Sequence, residues 1–509
     1  MKLLPLLLLA ALPGSLPAQP TPGAPPIDSA RARKIAAAFP VLDKIYADYA
    51  ARNHVPGLAY ALVVDGRLVH AGALGYADAR ARTAATPQSV FRIASMTKSF
   101  VALAVLRLRD EGRLRLDAPA ETYLPELKKY RPNTLDAPPV TVRQLLSHAA
   151  GLPEDNPWGD RQMGRSDAAL AALLGRGLSM ANAPGVAYEY SNLGYALLGR
   201  LVSRVAGQPF QAYISARILR PLGMNDTYWD YRRVPAGRLA HGYRWQAGAW
   251  QPEPLLPNGG AFAALGGLLT TVEDFAKYLA FQASAWPPRP GPDAGPVRRS
   301  SVREMQQPWT FNALNAAYRY PSGRASPMVN SYGFGLRVAR DGAGRGYVGH
   351  GGGLPGFGSH WWLLPDYGVA VVALDNLTYA GPTAANFAAL DTLVALAGLR
   401  PRAPAGSAIL AQRQAELARL LPAWEVPANS PLFAENFFLD EPLAGRRQAA
   451  QALFARAGKI GSVGPLVPEN QLRGRFLLTG EQAAIEVFFS LTPETPARVQ
   501  QLDLRLLPR

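Results

Sequence analysis

Two apolar hairpins far apart in the chain constrain its fold more than any other feature. The first is GLAYALVVDGRLVHAGALGYAD, residues 57–78, in which two apolar runs flank the turn pair Asp65-Gly66. The second comprises GSHWWLLP and GVAVVALDN, separated by Asp366, Tyr367 and Gly368. Just before it lies SYGFGLRVAR, followed by the Gly-rich turn Asp341 to Gly346. Between the hairpins the chain, to about Ala283, reads as helices joined by polar loops. Ser95 to Asp110 is apolar nearly all round, which predicts a central helix. Thr141 to Leu146 begins another, with Thr141 as its cap. Ala30 to Ala51 carries Ile35, Ala38, Val41, Ile45 and Tyr49 at helical spacing. The economical fold is α+β: one antiparallel sheet closed by N- and C-terminal strands, flanked by helices, with a mostly helical domain inserted.

The chain is long enough, at 509 residues, for more than one domain. Residues 1–18 read as a signal peptide: Lys2, an apolar run from Leu3 to Leu12, a break at Pro13-Gly14, and Ala18 for cleavage. Leu16 makes the cleavage site imperfect, and an uncleaved, membrane-tethering N-terminus is the rival reading. Gln19 to Ile27 is Pro-rich. The expected main domain spans 28–400, ending in the helical segment Ala384 to Leu399. RPRAPAG then reads as a linker. Residues 408–509 predict a small accessory α+β domain, with helices near Ala408–Leu421 and Arg446–Ala457. Its strands are expected at Leu472–Leu478, Ala483–Leu491 and Val499–Leu507. It loosely resembles cystatin-like or nuclear-transport-factor-like modules.

The net charge is +16, yet the arginines are scattered, in pairs at most, such as Arg232-Arg233 and Arg446-Arg447. No zinc-finger or helix-turn-helix spacing accompanies them, so nucleic-acid binding is not expected. Weak attraction to the anionic cell envelope is. There is no cysteine, which excludes a lipoprotein anchor and disulfides. His54, His70, His241 and His360 lack ligand-spaced partners, and no metal or other cofactor is expected. An exported protein, periplasmic or extracellular, is the expected setting.

Within VFRIASMTKSF, Ser95 precedes Lys98 by three residues. Only 8 of the 53 basic residues are lysines, and no other lysine has a serine three places before it. Residues i and i+3 share a helix face, so Lys98 can reach the Ser95 hydroxyl. Burial among Phe91, Met96 and Phe100 would lower the ammonium pKa and make the amine a usable base. By residue type alone, a helix cap plus a snorkelling lysine fits equally well.

Further stretches decide between these readings. FRIASMTKSF, TVRQLLSHAAGLP, YEYSNLGYALLG, GGLLTTVEDFAKY and YVGHGGGLPGF occur in the order found in the serine beta-lactamase-related hydrolases. The chain resembles that family of class C beta-lactamases, D-alanyl-D-alanine carboxypeptidases, D-aminopeptidases and esterases over roughly Leu42 to Leu399. The resemblance implies Ser95 as nucleophile and Lys98 as base. Tyr190 shares in proton transfer, although Tyr188 competes by residue type. Asn192 binds the substrate amide or Lys98. His350, Gly351 and Gly352 match the strand against which substrate lies, with His350 shuttling a proton or binding substrate. Backbone N–H groups of that strand and of Ser95 form the oxyanion hole. Relatives that recognise penicillins often carry lysine at the His350 position, and this departure shifts the expectation toward an esterase or broad hydrolase. Beta-lactamase, D-alanyl-D-alanine carboxypeptidase or D-aminopeptidase activity is the alternative, and an unreactive cell-wall ligand-binding protein is the non-enzyme one. The substrate is then a small ester, beta-lactam or D-amino-acid peptide. His148 reads as a packed loop residue, and Gly266-Gly267 as a turn before a helix capped by Thr270 or Thr271.

Overall fold

A computed structural model describes residues 29–129, 134–402, 404–427 and 430–507. The expected signal peptide and the Pro-rich stretch up to Ile27 lie outside them. The chain divides into two units, 1–286 with 292–400, and 401–509 with 287–291.

The first unit is built on a nine-stranded sheet, antiparallel throughout. Its spatial order is Thr83–Ala84, Arg67–Asp78, Gly57–Val64, Val369–Asp375, Phe357–Leu364, Gly346–Leu354, Arg337–Asp341, Ala325–Tyr332, Thr310–Arg319. The N-terminal hairpin meets the C-terminal one at the centre, with Leu58 opposite Asp375 and Val64 opposite Val369. Successive side chains alternate between two cores. Ala59, Ala61, Val63, Trp361 and Val372 pack on one face. Leu58, Tyr60, Leu62, Trp362 and Val371 pack on the other. Because both faces are buried, these strands read as unbroken apolar runs.

The second face is covered by the helices Phe39–Arg52 and Thr383–Leu396, drawn from the two ends of the unit. The helices that build the site lie on the first face. Thr97–Asp110 is buried from Thr97 through Leu106, as its all-round apolar sequence requires. Val142–Leu146 starts at a full capping box: Thr141 Oγ1 accepts from Gln144 N, and Gln144 Oε1 accepts from Thr141 N. Asn192–Ala206 starts at Ser191 and stops at Gly207, whose φ of 71° is left-handed. Val272–Ala283 is capped by Thr271, not Thr270.

Several strands were not foreseen, and SYGFGLRVAR divides between Ala325–Tyr332 and Arg337–Asp341. Thr310–Arg319, at the sheet edge, is exposed along most of its length, and Tyr243–Gln246 pairs with Ala249–Pro252 as a small exposed hairpin. The second unit has its own core around Leu417, Phe476, Ile485 and Phe489. Its sheet runs Ile460–Val463, Arg473–Gly480, Ala484–Leu491, Val499–Leu507, beside the helices Ala408–Leu420 and Leu443–Ala457. No helix among the described residues is long and apolar enough to cross a membrane.

Candidate active site

Ser95 lies in a single 3-10 turn, Ala94–Met96, that runs into the helix Thr97–Asp110. Ala94, immediately before it, has a φ of 47°. That left-handed angle is costly for alanine and kinks the chain at the serine. Three contacts fix the kink from outside. Phe91–Arg92 pairs with Leu269–Thr270, and Leu268 N donates to Thr97 Oγ1 at 3.1 Å. Ser359 Oγ donates to Ile93 O at 2.9 Å. Gly352 also presses on the turn, since a Cβ there would lie 2.4 Å from Ile93 O and 2.9 Å from Ala94 Cβ. Only glycine brings the Gly346–Leu354 strand this close.

Lys98 is fully buried. Its Nζ lies 3.0 Å from Ser95 Oγ, 2.7 Å from Asn192 Oδ1 and 2.7 Å from Leu265 O. It also sits 4.9 Å from the centre of the Tyr190 ring. Burial pulls its pKa down to about 7, against the opposing pull of Asp155 and Asp160. A neutral amine has two protons and one lone pair. The carbonyls of Asn192 and Leu265 can only accept, so they take the two protons, and the lone pair is left for the Ser95 hydroxyl.

Tyr190 is buried, and burial pushes its phenol well above the usual tyrosine range despite a hydrogen bond with Ser95. It is therefore a protonated phenol at neutral pH. Tyr188, the competing tyrosine, lies farther along the same wall, its ring 6.0 Å from that of His148. Asn192 is held by an arrangement absent from the sequence reading. Asp155 accepts from Asn192 N at 2.6 Å and from Leu193 N at 2.8 Å, an acid at a helix N-terminus. Asn192 Nδ2 donates to Asn156 Oδ1 at 2.9 Å.

His350 is buried, and burial with the nearby Arg337 and Lys98 holds its pKa well below the histidine range. Its Nδ1 lies 2.5 Å from Gly351 O, an atom that can only accept, so Nδ1 carries the proton. Its Nε2 therefore accepts from Tyr332 Oη, 2.8 Å away. Both nitrogens are occupied, by groups other than Ser95. Arg337 stands at the rim, exposed, its guanidinium 5.9 Å from the centre of the Tyr190 ring. No ion pair or side-chain hydrogen bond to it is found among the described residues.

The structure thus brings Ser95, Lys98, Tyr190 and Asn192 together around one amine, with Gly352 against the serine turn. Leu265 O, Asp155, Asn156, Tyr332 and Arg337 join them. Each acts across a long stretch of sequence, and only the EDN triplet at 154–156, a cluster of cap-forming residues, gave a local sign. No group of three or more His, Cys, Asp or Glu that could hold a metal ion occurs among the described residues.

Residues 42–396 match the beta-lactamase family. The chain belongs to that family. It is 30% identical over 367 residues to esterase EstB of Burkholderia gladioli, covering 67% of this chain and 91% of the esterase. It is 28% identical over 340 residues to protein flp of Staphylococcus aureus strain N315, covering 66% of this chain but only 62% of flp. Among solved structures it resembles the octameric penicillin-binding protein homologue from Pyrococcus abyssi, with a TM-score of 0.57 and 24% identity over 90% of this chain and 91% of that one. It also resembles a penicillin-binding protein from Bacillus halodurans, with a TM-score of 0.54 and 24% identity over 70% of this chain and 99% of that one. These two likenesses establish the fold: the beta-lactamase-type sheet flanked by helices, and a separate smaller C-terminal β-rich domain.

Proposed function

We propose that the protein is a serine hydrolase that works through an acyl-enzyme, with carboxylic esters as its first substrate class. The observation that carries this reading is the buried amine of Lys98, whose lone pair is left facing Ser95 once its two acceptors are served. Lys98 removes the Ser95 proton, and Ser95 Oγ attacks the carbonyl. The N–H groups of Ser95 and of the Gly351-Gly352 strand stabilise the oxyanion. Tyr190, protonated, passes its proton to the leaving group and takes in exchange the one Lys98 holds; in deacylation Lys98 accepts a proton from the attacking water and returns it to Ser95 Oγ as the acid departs. Asn192 orients Lys98 and meets the substrate amide or ester. His350, neutral and doubly bonded, shapes the strand edge on which substrate lies. The esterase name of the Burkholderia relative supports the ester class. The apolar run Leu3 to Leu12 after Lys2 supports action outside the cytoplasm. The 401–509 unit is read as an accessory module.

A second reading is favoured by Arg337. His350 is neutral, so it supplies no fixed charge, whereas Arg337 offers an unpaired guanidinium beside Tyr190. A substrate carrying a carboxylate near its scissile bond, such as a beta-lactam or a D-amino-acid peptide, would pair with it. Hydrolysis of p-nitrophenyl esters, nitrocefin and D-alanyl-D-alanine peptides by wild type, Ser95→Ala and Arg337→Ala separates these readings. Ser95→Ala should lose all turnover. Arg337→Ala should raise KM for carboxylate-bearing substrates and leave neutral esters alone. Full ester turnover by Ser95→Ala would refute the mechanism.

A further inference from the structure

His148 is the second residue of SHAAGLP and follows Ser147, the cap of the helix Val142–Leu146, with a φ of 56°. Glycine or asparagine takes that left-handed position at little cost; a bulky residue does not. The imidazole is nonetheless 2% exposed, packed among four tyrosines. Its ring centre lies 4.3 Å from Tyr190, 4.5 Å from Tyr332, 5.2 Å from Tyr195 and 6.0 Å from Tyr188. Folding alone favours a smaller residue here.

The hydrogen bonds of His148 account for its presence. Ser191 N donates to its Nδ1 at 3.1 Å. A backbone amide can only donate, so Nδ1 holds a lone pair and the ring proton sits on Nε2. Nε2 is buried without a hydrogen-bond partner. The carbonyl of His148 accepts from Glu189 N at 2.8 Å. One residue therefore grips the peptide groups on both sides of Tyr190, while its ring packs on the tyrosine face.

We propose that His148 is a positioning residue for Tyr190, fixing the phenol against Ser95 and Lys98 by holding the main chain at Glu189 and Ser191. The inference rests on the proton-transfer role of Tyr190. Protonation of the ring would consume the Nδ1 lone pair and release Ser191 N–H. Burial opposes that charge, as do the nearby Lys98 and Arg337.

The test is ester turnover by His148→Gly and His148→Asn, each in wild-type and Tyr190→Phe backgrounds, with thermal unfolding followed in parallel. Both substitutions accept the backbone angle, but only asparagine keeps an acceptor for Ser191 N–H. His148→Gly should lower kcat about 30-fold with KM within about threefold, whereas His148→Asn should stay within about fivefold of wild type. In the Tyr190→Phe background, His148→Gly should cost less than about threefold, because the residue it positions is already silent. An equal loss in both backgrounds would overturn the proposal. So would unchanged kcat in His148→Gly, or a large loss in His148→Asn, the variant to rely on if the glycine protein does not fold. Full activity of Tyr190→Phe alone would remove the reading of Tyr190 and this inference with it; a slow Tyr190→Phe beside a fully active His148→Gly would remove this inference only.

Discussion

Lys98 faces three acceptors and, when neutral, has two protons to share among them. Its burial lowers the pKa to about 7, so the neutral form is well populated where the enzyme would work. The base is the deprotonated amine, so activity is lost as pH falls through that value. We expect kcat/KM for a neutral ester to rise with a single pKa near 7 and then level off. A profile flat from pH 5 to 9 would show that no group with this pKa limits the reaction. Of this site, the sequence made Ser95, Lys98, Tyr190 and Asn192 readable, because each lies in a short motif with fixed offsets. It did not reveal the carbonyl of Leu265, since backbone acceptors carry no residue signature, nor the Asp155 cap, which reaches its helix from 37 residues away.

The elements that were legible were those whose burial imposes a pattern. The central strands Gly57–Val64, Phe357–Leu364 and Val369–Asp375 are buried on both sides and appear as apolar runs, and the Thr97–Asp110 helix is apolar all round. The edge strand Thr310–Arg319 is solvated along most of its length, so TFNALNAAYR has no alternation to read. The glycine strand Gly346–Leu354 was recognised by motif, but the reason for its glycines needed the structure. Gly352 has no room for a Cβ against Ile93 O, while a Cβ on Gly351 would meet its nearest atom, His360 Cδ2, at 3.3 Å. Gly352→Ala should therefore push the strand from the serine turn and lower kcat about 10²-fold, the scale of a 1 Å misplacement. Gly351→Ala should cost much less. Equal effects in steady-state kinetics of the two variants would contradict the close-packing argument.

For the whole molecule, the joining of chain ends matters most. The N-terminal helix and the last strand of the first unit meet at Asp375, which is fully buried; Tyr49 Oη lies 3.4 Å from its carboxyl, and Leu377 N donates to it at 3.2 Å. Burial raises its pKa to about 8, so the folded protein keeps this acid protonated where the unfolded chain ionises it. The stability it contributes is full below the unfolded pKa and is lost as pH rises through the folded one, at roughly 1.4 kcal/mol per pH unit in between. Asp375→Asn removes that loss. Its melting temperature should gain on wild type steadily from about pH 5 to 8, and parallel curves would contradict the assignment. The proposed reaction requires that Ser95 be acylated with Lys98 as its base. Mass spectrometry of the acid-quenched protein after reaction with a fluorophosphonate, or with a slowly deacylating ester, tests this most directly. The adduct should sit on the Ser95 peptide and form far more slowly in Lys98→Ala. An active enzyme labelled on another residue, or labelled at Ser95 just as fast without Lys98, would contradict it.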